Sequence, residues 1–530
     1  MSAYRFKIEK PYYPIVYVRG YAMRAAEREE TFNDTYYGFS ATSVEKRQAP
    51  PPQYFEADVF EGQLIRLMKI KEYGYADSVN RGLEIFHSNP SRSVWVSRFY
   101  DQDVFRDTVR SIEEHAEDLY TLVCETIPER LRTAGVDLGE NDRDYRVILI
   151  AHSMGGLVCR TLIQNLMPSE TCPLKKEHTH KKDPKDWIYR LVTMGTPHKG
   201  IDLGRIPDVI ESFLTSKLNP FDANIFRPER MRQYLKLDET DDVHSLGDPA
   251  AARAFPVKRC LCIIGSDYRS YGVTKELTGS FSDGLVKQDH AYVVAGPKPP
   301  EKAVYPDDRR SFWANVHRAH SGNRGIVNSY ESYENIQRFL FGDTRAEISL
   351  DGISFGTAAP TGNDRYFYDF EFIFSIRKSG AYLHRRQQDP CENAIRFERA
   401  GIPPRLLLHT AFINSRLRDE GDKFSHFGGK IRVVEHRVRD GFLWDNEYPE
   451  RPIYNESIEV RVGDGGQVFY RWLSAGDDWH EVPRDQVGEY RIPLRGAGAF
   501  AGALVIKPGR WPDPELTKEP TSDDSKSGQP

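Results

Sequence analysis

The chain has 530 residues, 39% hydrophobic and 28% charged, an ordinary globular composition that at this length indicates roughly two or three domains. The formal net charge of -5 gives no bulk electrostatic reason to expect a nucleic-acid partner. No apolar run approaches the length of a transmembrane helix, and the N-terminal residues lack the apolar core of a secretory signal. With only six cysteines, the sequence predicts a cytoplasmic protein with reduced thiols, and export by a non-standard route stays open.

The first part of the chain alternates predicted strands and helices. Short apolar runs rich in β-branched residues predict buried strands at 14–20, 93–100, 146–150, 189–194 and 259–264. Apolar residues at helical spacing predict helices over 105–127, 156–167 and 326–339. Pro128 should end or kink the first helix, and Pro168 should stop the second. This alternation predicts an α/β domain over 1–344, with a mostly parallel central sheet covered on both faces.

Two segments of this domain are long enough to be insertions that shape or cover a site, at about 22–90 and 201–250. The second contains an apolar helical stripe, for which a cap over a pocket and packing against the main domain are equally good interpretations. The Lys-rich loop 175–185 is expected to be solvated, with peripheral contact to anionic lipid headgroups as the alternative. His178 and His180 lie in that loop without a cluster at ligand spacing, so no metal is predicted.

The later part of the chain has a different pattern. Aromatic and aliphatic residues alternate with more polar ones over 366–376, which predicts a strand with one buried face. Two more alternating runs flank the turn residues 463–466 and predict a hairpin. We therefore predict an all-β, sandwich-like domain at 345–510, followed by a disordered tail at 511–530. The sequence leaves the partner of the β domain unknown.

A strand-to-helix turn around Ser153 carries the most informative pattern. The strand at 146–150 leads directly into a small-x-Ser-x-Gly segment, and a helix follows at once. A nucleophilic serine on such a sharp turn needs very small neighbours two residues away, and Ala151 and Gly155 meet that need. Its hydroxyl then lies at the N-terminus of a helix, whose dipole favours developing negative charge. The sequence predicts Ser153 as a nucleophile, and a serine that merely caps an ordinary helix is the alternative.

Three motifs together resemble those of a known family. Ala-His-Ser-Met-Gly-Gly at 151–156 resembles the nucleophile motif of the lipase and esterase branch of the α/β-hydrolases, close to bacterial triacylglycerol lipases and GPI-inositol-deacylase-like lipases. Gly-Thr-Pro-His-Lys-Gly at 195–200 and Ser-Asp-Gly-Leu-Val at 282–286 are similar to two further motifs of those lipases, of which the second carries the acid. The resemblance covers about residues 12–342 and implies an α/β-hydrolase fold for them.

A serine nucleophile needs a general base, and in this fold the chain order is serine, acid, histidine. His317 and His320 stand late in the chain, just before the predicted closing helix. His320 lies closer to that helix and precedes a small Ser-Gly pair, as the base of the similar lipases does, so we predict His320 and keep His317 as the alternative. His198 precedes the acid in the chain and is predicted to be structural.

The acid must hold the imidazole in the right tautomer and stabilise the imidazolium. Asp283, in the lipase-like Ser-Asp-Gly-Leu-Val segment, is the predicted acid. Asp267 lies nearer the end of its strand and is the alternative, with a turn aspartate as its ordinary interpretation.

Tetrahedral intermediates need backbone donors around the oxyanion. One donor is expected to be the N–H of Met154, which follows the nucleophile. The other is expected from the loop after the first strand, where we predict the N–H of Tyr21. Arg19 stands in this loop where the similar lipases usually carry a histidine.

The sequence thus predicts a serine hydrolase that cleaves carboxylic esters through an acyl-enzyme on Ser153, without a metal or organic cofactor. The resemblance implies lipid esters, either acylglycerols or phospholipids, as the substrate class. A small-ester carboxylesterase, a thioesterase or acyltransferase, and an exported effector lipase are the alternatives within this chemistry. A non-catalytic binding protein on a hydrolase scaffold, with the β domain as its working part, is the alternative of another class. Acyl chain length, headgroup and oligomeric state stay open.

Overall fold

The structure is a computed structural model, and the residues that it describes are 5–20, 43–48, 55–60, 62–63, 66–67, 73, 75–77, 89–97, 110–169, 183–201, 224–251, 253–271, 281–300, 305–322, 324–356, 364–439, 446–447, 451–464, 466–476, 478–495 and 499–513. Tyr21, most of the Lys-rich loop, most of the insertion at 22–90, the apolar stripe of the insertion at 201–250 and most of the tail lie outside these residues. Within them, no helix is long and apolar enough to cross a membrane.

Strands and helices alternate in the first part of the described chain, and strands dominate the rest. The strands of the first part are β1 (Phe6–Lys7), β2 (Ile15–Val18), β3 (Ser43–Gln48), β4 (Phe55–Phe60), β5 (Ala76–Asp77), β6 (Ser93–Ser97), β7 (Val136–Asp137), β8 (Val147–His152), β9 (Ile188–Met194), β10 (Cys260–Gly265) and β11 (Phe312–Val316). The helices are α1 (Ile112–Thr121), α2 (Ile127–Thr133), α3 (Met154–Thr161), α4 (Pro184–Trp187), α5 (Pro228–Leu235) and α6 (Tyr330–Phe341). The later strands are β12 (Thr344–Phe355), β13 (Asp364–Ile376), β14 (Tyr382–Arg386), β15 (Ile395–Glu398), β16 (Arg405–Ile413), β17 (Phe424–Arg439), β18 (Asn446–Glu447), β19 (Arg451–Gly463), β20 (Val468–Trp472), β21 (His480–Val482), β22 (Tyr490–Pro493) and β23 (Phe500–Arg510).

The chain forms two compact units. One contains residues 1–336 and 368–396, and the other contains 337–367 and 397–530. We expected a single boundary near residue 345, whereas the segment 368–396 groups with the first unit. The physical reason is local packing: β14 lies against β11 at the edge of the main sheet, where the N–H of Asn315 donates to Nδ1 of His384 at 3.3 Å.

A parallel sheet is the framework of the first unit. Among the described residues it has seven strands in the order β11-β10-β9-β8-β2-β6-β5, and all neighbouring strands pair in parallel. All residues of β8 and β9 are buried, and all but His152, Arg190 and Thr193 are apolar, so neither strand alternates between apolar and polar residues. The five predicted strands are confirmed as β2, β6, β8, β9 and β10. The edge strand β11 was not predicted.

Two of the predicted helices contain a wider turn that the sequence did not indicate. A π-helical segment, Leu122–Thr126, joins α1 to α2, and the helical path continues past Pro128 to Thr133. We expected Pro128 to end or kink the helix. The helix does not end there, because the π-helical segment is followed directly by Ile127–Thr133, with Pro128 in its first turn, where an N–H has no acceptor within the helix. A second π-helical segment, Leu162–Leu166, ends the helix that starts at Met154, shortly before Pro168.

The second unit, described by itself, is made of antiparallel strands. One sheet has the order β16-β12-β23-β22, and β17, β19, β20 and β21 pair in succession as another antiparallel array. The predicted hairpin is confirmed as β19 and β20, with the turn at 463–466 closed by the N–H of Gly466 donating to the carbonyl of Gly463 at 3.0 Å. Trp511, which we assigned to the tail, is instead buried because its ring packs on Phe412 and Phe339.

Candidate active site

Ser153 sits on a strained turn between β8 and α3. Its backbone φ of 51° and ψ of -129° is a conformation that non-glycine residues rarely adopt. The turn is possible because Gly155 has no side chain: a Cβ there would lie 2.3 Å from the carbonyl oxygen of Val18, at the end of β2. The strand, the strained serine and the helix therefore have the strand–turn–helix geometry that the sequence pattern predicts for a nucleophile elbow.

The loop after β2 passes directly beside the serine. A Cβ on Gly20 would lie 2.5 Å from Cβ of Ser153 and 3.1 Å from its Oγ, so only glycine fits there. Tyr21, the predicted second oxyanion donor, follows Gly20 but lies outside the described residues. Met154, the predicted first donor, is the first residue of α3 and is buried. Amides of the first turn of a helix have no acceptor within the helix, so this N–H can donate to an oxyanion.

A hydrogen-bonded chain joins the three residues predicted as nucleophile, base and acid. Nε2 of His320 lies 2.9 Å from Oγ of Ser153, and Nδ1 of His320 lies 2.9 Å from Oδ2 of Asp283. Since Asp283 accepts at Nδ1, the partners assign the proton to that nitrogen and leave Nε2 to accept from the serine hydroxyl. All three side chains are largely shielded from solvent, with residue exposures of 9%, 3% and 1% for Ser153, His320 and Asp283.

Asp283 is held in place by its own loop. Its Oδ1 accepts the backbone N–H groups of Leu285 at 3.0 Å and Val286 at 2.7 Å, which fixes the carboxylate plane. Its backbone carbonyl accepts the N–H of His320 at 2.8 Å. The acid and the histidine are therefore connected through both main chain and side chain, an arrangement that limits how far the imidazole can turn.

The alternative base and acid, and the histidine predicted to be structural, make their hydrogen bonds to residues outside the Ser153–His320–Asp283 chain. Nδ1 of His317 lies 3.1 Å from Oγ of Ser266. Oδ1 of Asp267 accepts the N–H of Ser270 at 3.1 Å, as a turn aspartate does. His198 is fully buried and lies 3.0 Å from Oγ1 of Thr193 through its Nε2, and burial lowers its pKa well below the usual value.

Gly195 explains why a glycine precedes Thr-Pro-His in the second lipase-like motif. It follows β9 with φ of +54°, and a Cβ there would lie 2.9 Å from Oδ2 of Asp283 and 3.2 Å from Nδ1 of His320. The absent side chain leaves the space in which the acid and the histidine meet. Sequence reasoning found this motif but not its role, because nothing in the local pattern tells which distant residues share the space beside it.

His152 is a second residue that sequence reasoning passed over. It ends β8, and its Nε2–H donates to the carbonyl oxygen of His320 at 2.9 Å. The two rings lie 5.0 Å apart between centroids. Burial is the main cause that lowers the pKa of His152 well below its usual value, and the charges of His320 and Arg19 lower it further. The ring is therefore neutral. Its position directly before the predicted nucleophile was the available signal.

Within the described residues, no group of three His, Cys, Asp or Glu side chains is placed to hold a metal ion. The parallel sheet, the elbow after β8 and the chain order Ser153, Asp283, His320 complete the architecture. The fold is that of an α/β-hydrolase with an added β domain.

The comparisons with known proteins give relatives of low similarity. No protein-family model matches the chain, and no curated protein sequence matches it. Among solved structures, the phospholipase PlaB from Legionella pneumophila is similar at 11% identity and a TM-score of 0.31, over 83% of this chain and 91% of that one. EstA from Clostridium botulinum is similar at 15% identity and a TM-score of 0.31, over 63% of this chain and 88% of that one.

A third similar structure is the Tle4–Tli4 complex, at 19% identity and a TM-score of 0.17, over 34% of this chain and 29% of that one. All three TM-scores are below 0.5.

Proposed function

We propose that this protein is a serine hydrolase that cleaves carboxylic esters through an acyl-enzyme on Ser153. The observation that carries the proposal is the chain of two 2.9 Å contacts from Ser153 through His320 to Asp283, on a serine held at the turn between β8 and α3. A buried, hydrogen-bonded set of this kind has the geometry that nucleophilic catalysis by serine requires.

In the proposed reaction, Oγ of Ser153 attacks the ester carbonyl carbon while Nε2 of His320 takes the hydroxyl proton. The negative charge that develops on the carbonyl oxygen is stabilised by the N–H of Met154, and a second donor is predicted at Tyr21. The alcohol leaves with the proton from His320, and the acyl group stays on Ser153. Water then attacks the acyl-enzyme with His320 again as base, and the carboxylic acid is released. Asp283 keeps the imidazole oriented and stabilises its charged form.

For the substrate class we propose lipid esters. The support is the resemblance of three motifs to lipases, at 151–156, 195–200 and 282–286. Carboxylesterase, thioesterase and acyltransferase activities use the same acyl-enzyme and differ in the group that is accepted or released. The substrate profile, and not the site geometry, separates them.

The test is hydrolysis of p-nitrophenyl esters from acetate to palmitate by the wild type and three variants. Ser153→Ala and His320→Ala should each lose at least about 1,000-fold in kcat/KM, because both act directly in the chemical steps. His317→Ala is the matched control, a neighbouring histidine bonded to Ser266, and it should stay within about threefold. Preference for long acyl chains supports a lipase, and preference for short ones an esterase. Full activity of Ser153→Ala would overturn the proposal.

A further inference from the structure

One buried histidine next to the catalytic chain has no part in the mechanism described above. His152 is 5% exposed and occupies the last position of β8, between the apolar strand and Ser153. A buried polar ring costs stability unless it makes a hydrogen bond, so an aliphatic residue would be the simpler choice for packing alone. The presence of a histidine at this buried position therefore needs a reason other than packing.

The contact that His152 makes is with the main chain of the base. Its Nε2–H donates to the carbonyl oxygen of His320 at 2.9 Å. The same residue, His320, is held by its own N–H, which donates to the carbonyl of Asp283 at 2.8 Å. The backbone of His320 is thus attached on one side to the acid loop and on the other to the strand that carries the nucleophile.

These attachments set the distance over which the proton must move. His152, which donates to the His320 carbonyl, directly precedes Ser153 in the chain. The backbone of the base is therefore attached to the same strand that carries the nucleophile. The imidazole of His320 then lies with Nε2 at 2.9 Å from Oγ of Ser153. Catalytic groups must be held to within about half an ångström of the productive geometry, and support of this kind is how proteins achieve it.

We propose that His152 is a positioning residue for the base: its ring N–H fixes the main chain of His320 and thereby the distance between Nε2 of His320 and Oγ of Ser153. This inference rests on the proposed serine hydrolase function. His152 touches no reacting atom in the mechanism, so it acts through His320.

The neutral state of His152 fits this role. Among the described residues, Asp283 from the acid loop and His152 from β8 lie against the His320 ring, and Arg19, directly after β2, acts electrostatically on His152. A neutral His152 adds no repulsion when His320 takes the serine proton and becomes charged. Because His152 donates through Nε2, its ring can support the base without competing for that proton.

Two variants of similar size separate the hydrogen bond from the packing. In His152→Gln the amide nitrogen reaches the place of Nε2 and can still donate to the carbonyl of His320. In His152→Met the volume is similar and the donor is lost. We expect kcat on p-nitrophenyl butyrate to fall about 10- to 100-fold in His152→Met with KM nearly unchanged, and His152→Gln to recover to within about fivefold of wild type.

Active sites are counted by fluorophosphonate titration, so that misfolded protein does not enter the value of kcat per site. The dependence of kcat/KM on pH is recorded for each variant. If the imidazole turns away from Asp283, the dependence of kcat/KM on pH in His152→Met should differ from that of wild type. A merely structural role would lower the titrated fraction and the Tm but leave kcat per site and the pH profile at wild-type values, which would overturn the inference. If wild type shows no Ser153-dependent turnover or labelling, the proposed function itself fails.

Discussion

Gly195→Ala is the substitution whose effect can be worked most directly from the structure. The new Cβ would lie 2.9 Å from Oδ2 of Asp283, 3.2 Å from Nδ1 of His320 and 3.4 Å from Cε1 of His320. Non-bonded heavy atoms prefer roughly 3.5 Å, so the carboxylate or the ring must move by about half an ångström. The hydrogen bond between Nδ1 of His320 and Oδ2 of Asp283, 2.9 Å long, would lengthen to about 3.4 Å, beyond the usual range of such hydrogen bonds.

The catalytic and the folding consequences of Gly195→Ala are separable. We expect kcat per active site to fall about 100-fold, because the imidazole loses its orientation. The alanine must also adopt the φ of +54° that Gly195 has, which costs about 1 kcal/mol in the free energy of unfolding. Activity on p-nitrophenyl butyrate, normalised by fluorophosphonate titration, measures the first effect, and urea unfolding measures the second.

Gly247→Ala is the matched control for backbone strain. Gly247 has φ of +91°, and among the described residues no atom lies within 4 Å of the Cβ that alanine would add. It should lose a similar amount of stability and keep wild-type kcat. Equal kcat per site in the two alanine variants would refute the reasoning that links Gly195 to the acid–base pair.

Three further predictions concern stability. Arg160→Met should lower the free energy of unfolding by about 3 kcal/mol in urea titration, because the fully buried guanidinium donates to three backbone carbonyls that would be left without it. Burial lowers the pKa of His115 from 6.5 to about 4, so the unfolded chain takes up the proton first and stability falls as pH drops from about 6.5 to about 4. His115→Leu should flatten this slope in unfolding curves by up to about 3 kcal/mol. Trp511→Ala should destabilise the second unit by about 3 kcal/mol in near-UV thermal melts, since the ring packs on Phe412 and Phe339.

The central strands were predictable because burial on both faces favours mostly apolar sequences without alternation. β8 and β9 are buried along their whole length, and apolar residues predominate in both. β11 was missed because its sequence, Phe-Trp-Ala-Asn-Val, mixes a polar and a small residue into a short run at the edge of the sheet. The π-helical segment Leu122–Thr126 was missed because the apolar spacing of 105–127 continues through its wide turn.

The site was predictable to the extent that its residues belong to local motifs. The elbow at Ser153 follows from a strand, two small neighbours and a helix in direct succession. The choice between His320 and His317 depended on chain order and on resemblance, because two histidines three residues apart cannot be separated by local pattern. Long-range packing decides which one meets Asp283. The roles of Gly195 and His152 depend on the same packing, so only the folded chain displays them.

Mass-spectrometric mapping of a fluorophosphonate adduct on the folded protein decides whether Ser153 is the nucleophile. We predict one adduct on Ser153 in wild type, formed at least about 100-fold more slowly in His320→Ala, because the serine hydroxyl depends on that imidazole for activation. Circular dichroism of both proteins establishes that they are equally folded. A folded wild-type chain that forms no adduct, or forms it on another residue, would contradict the assignment of Ser153 as the nucleophile.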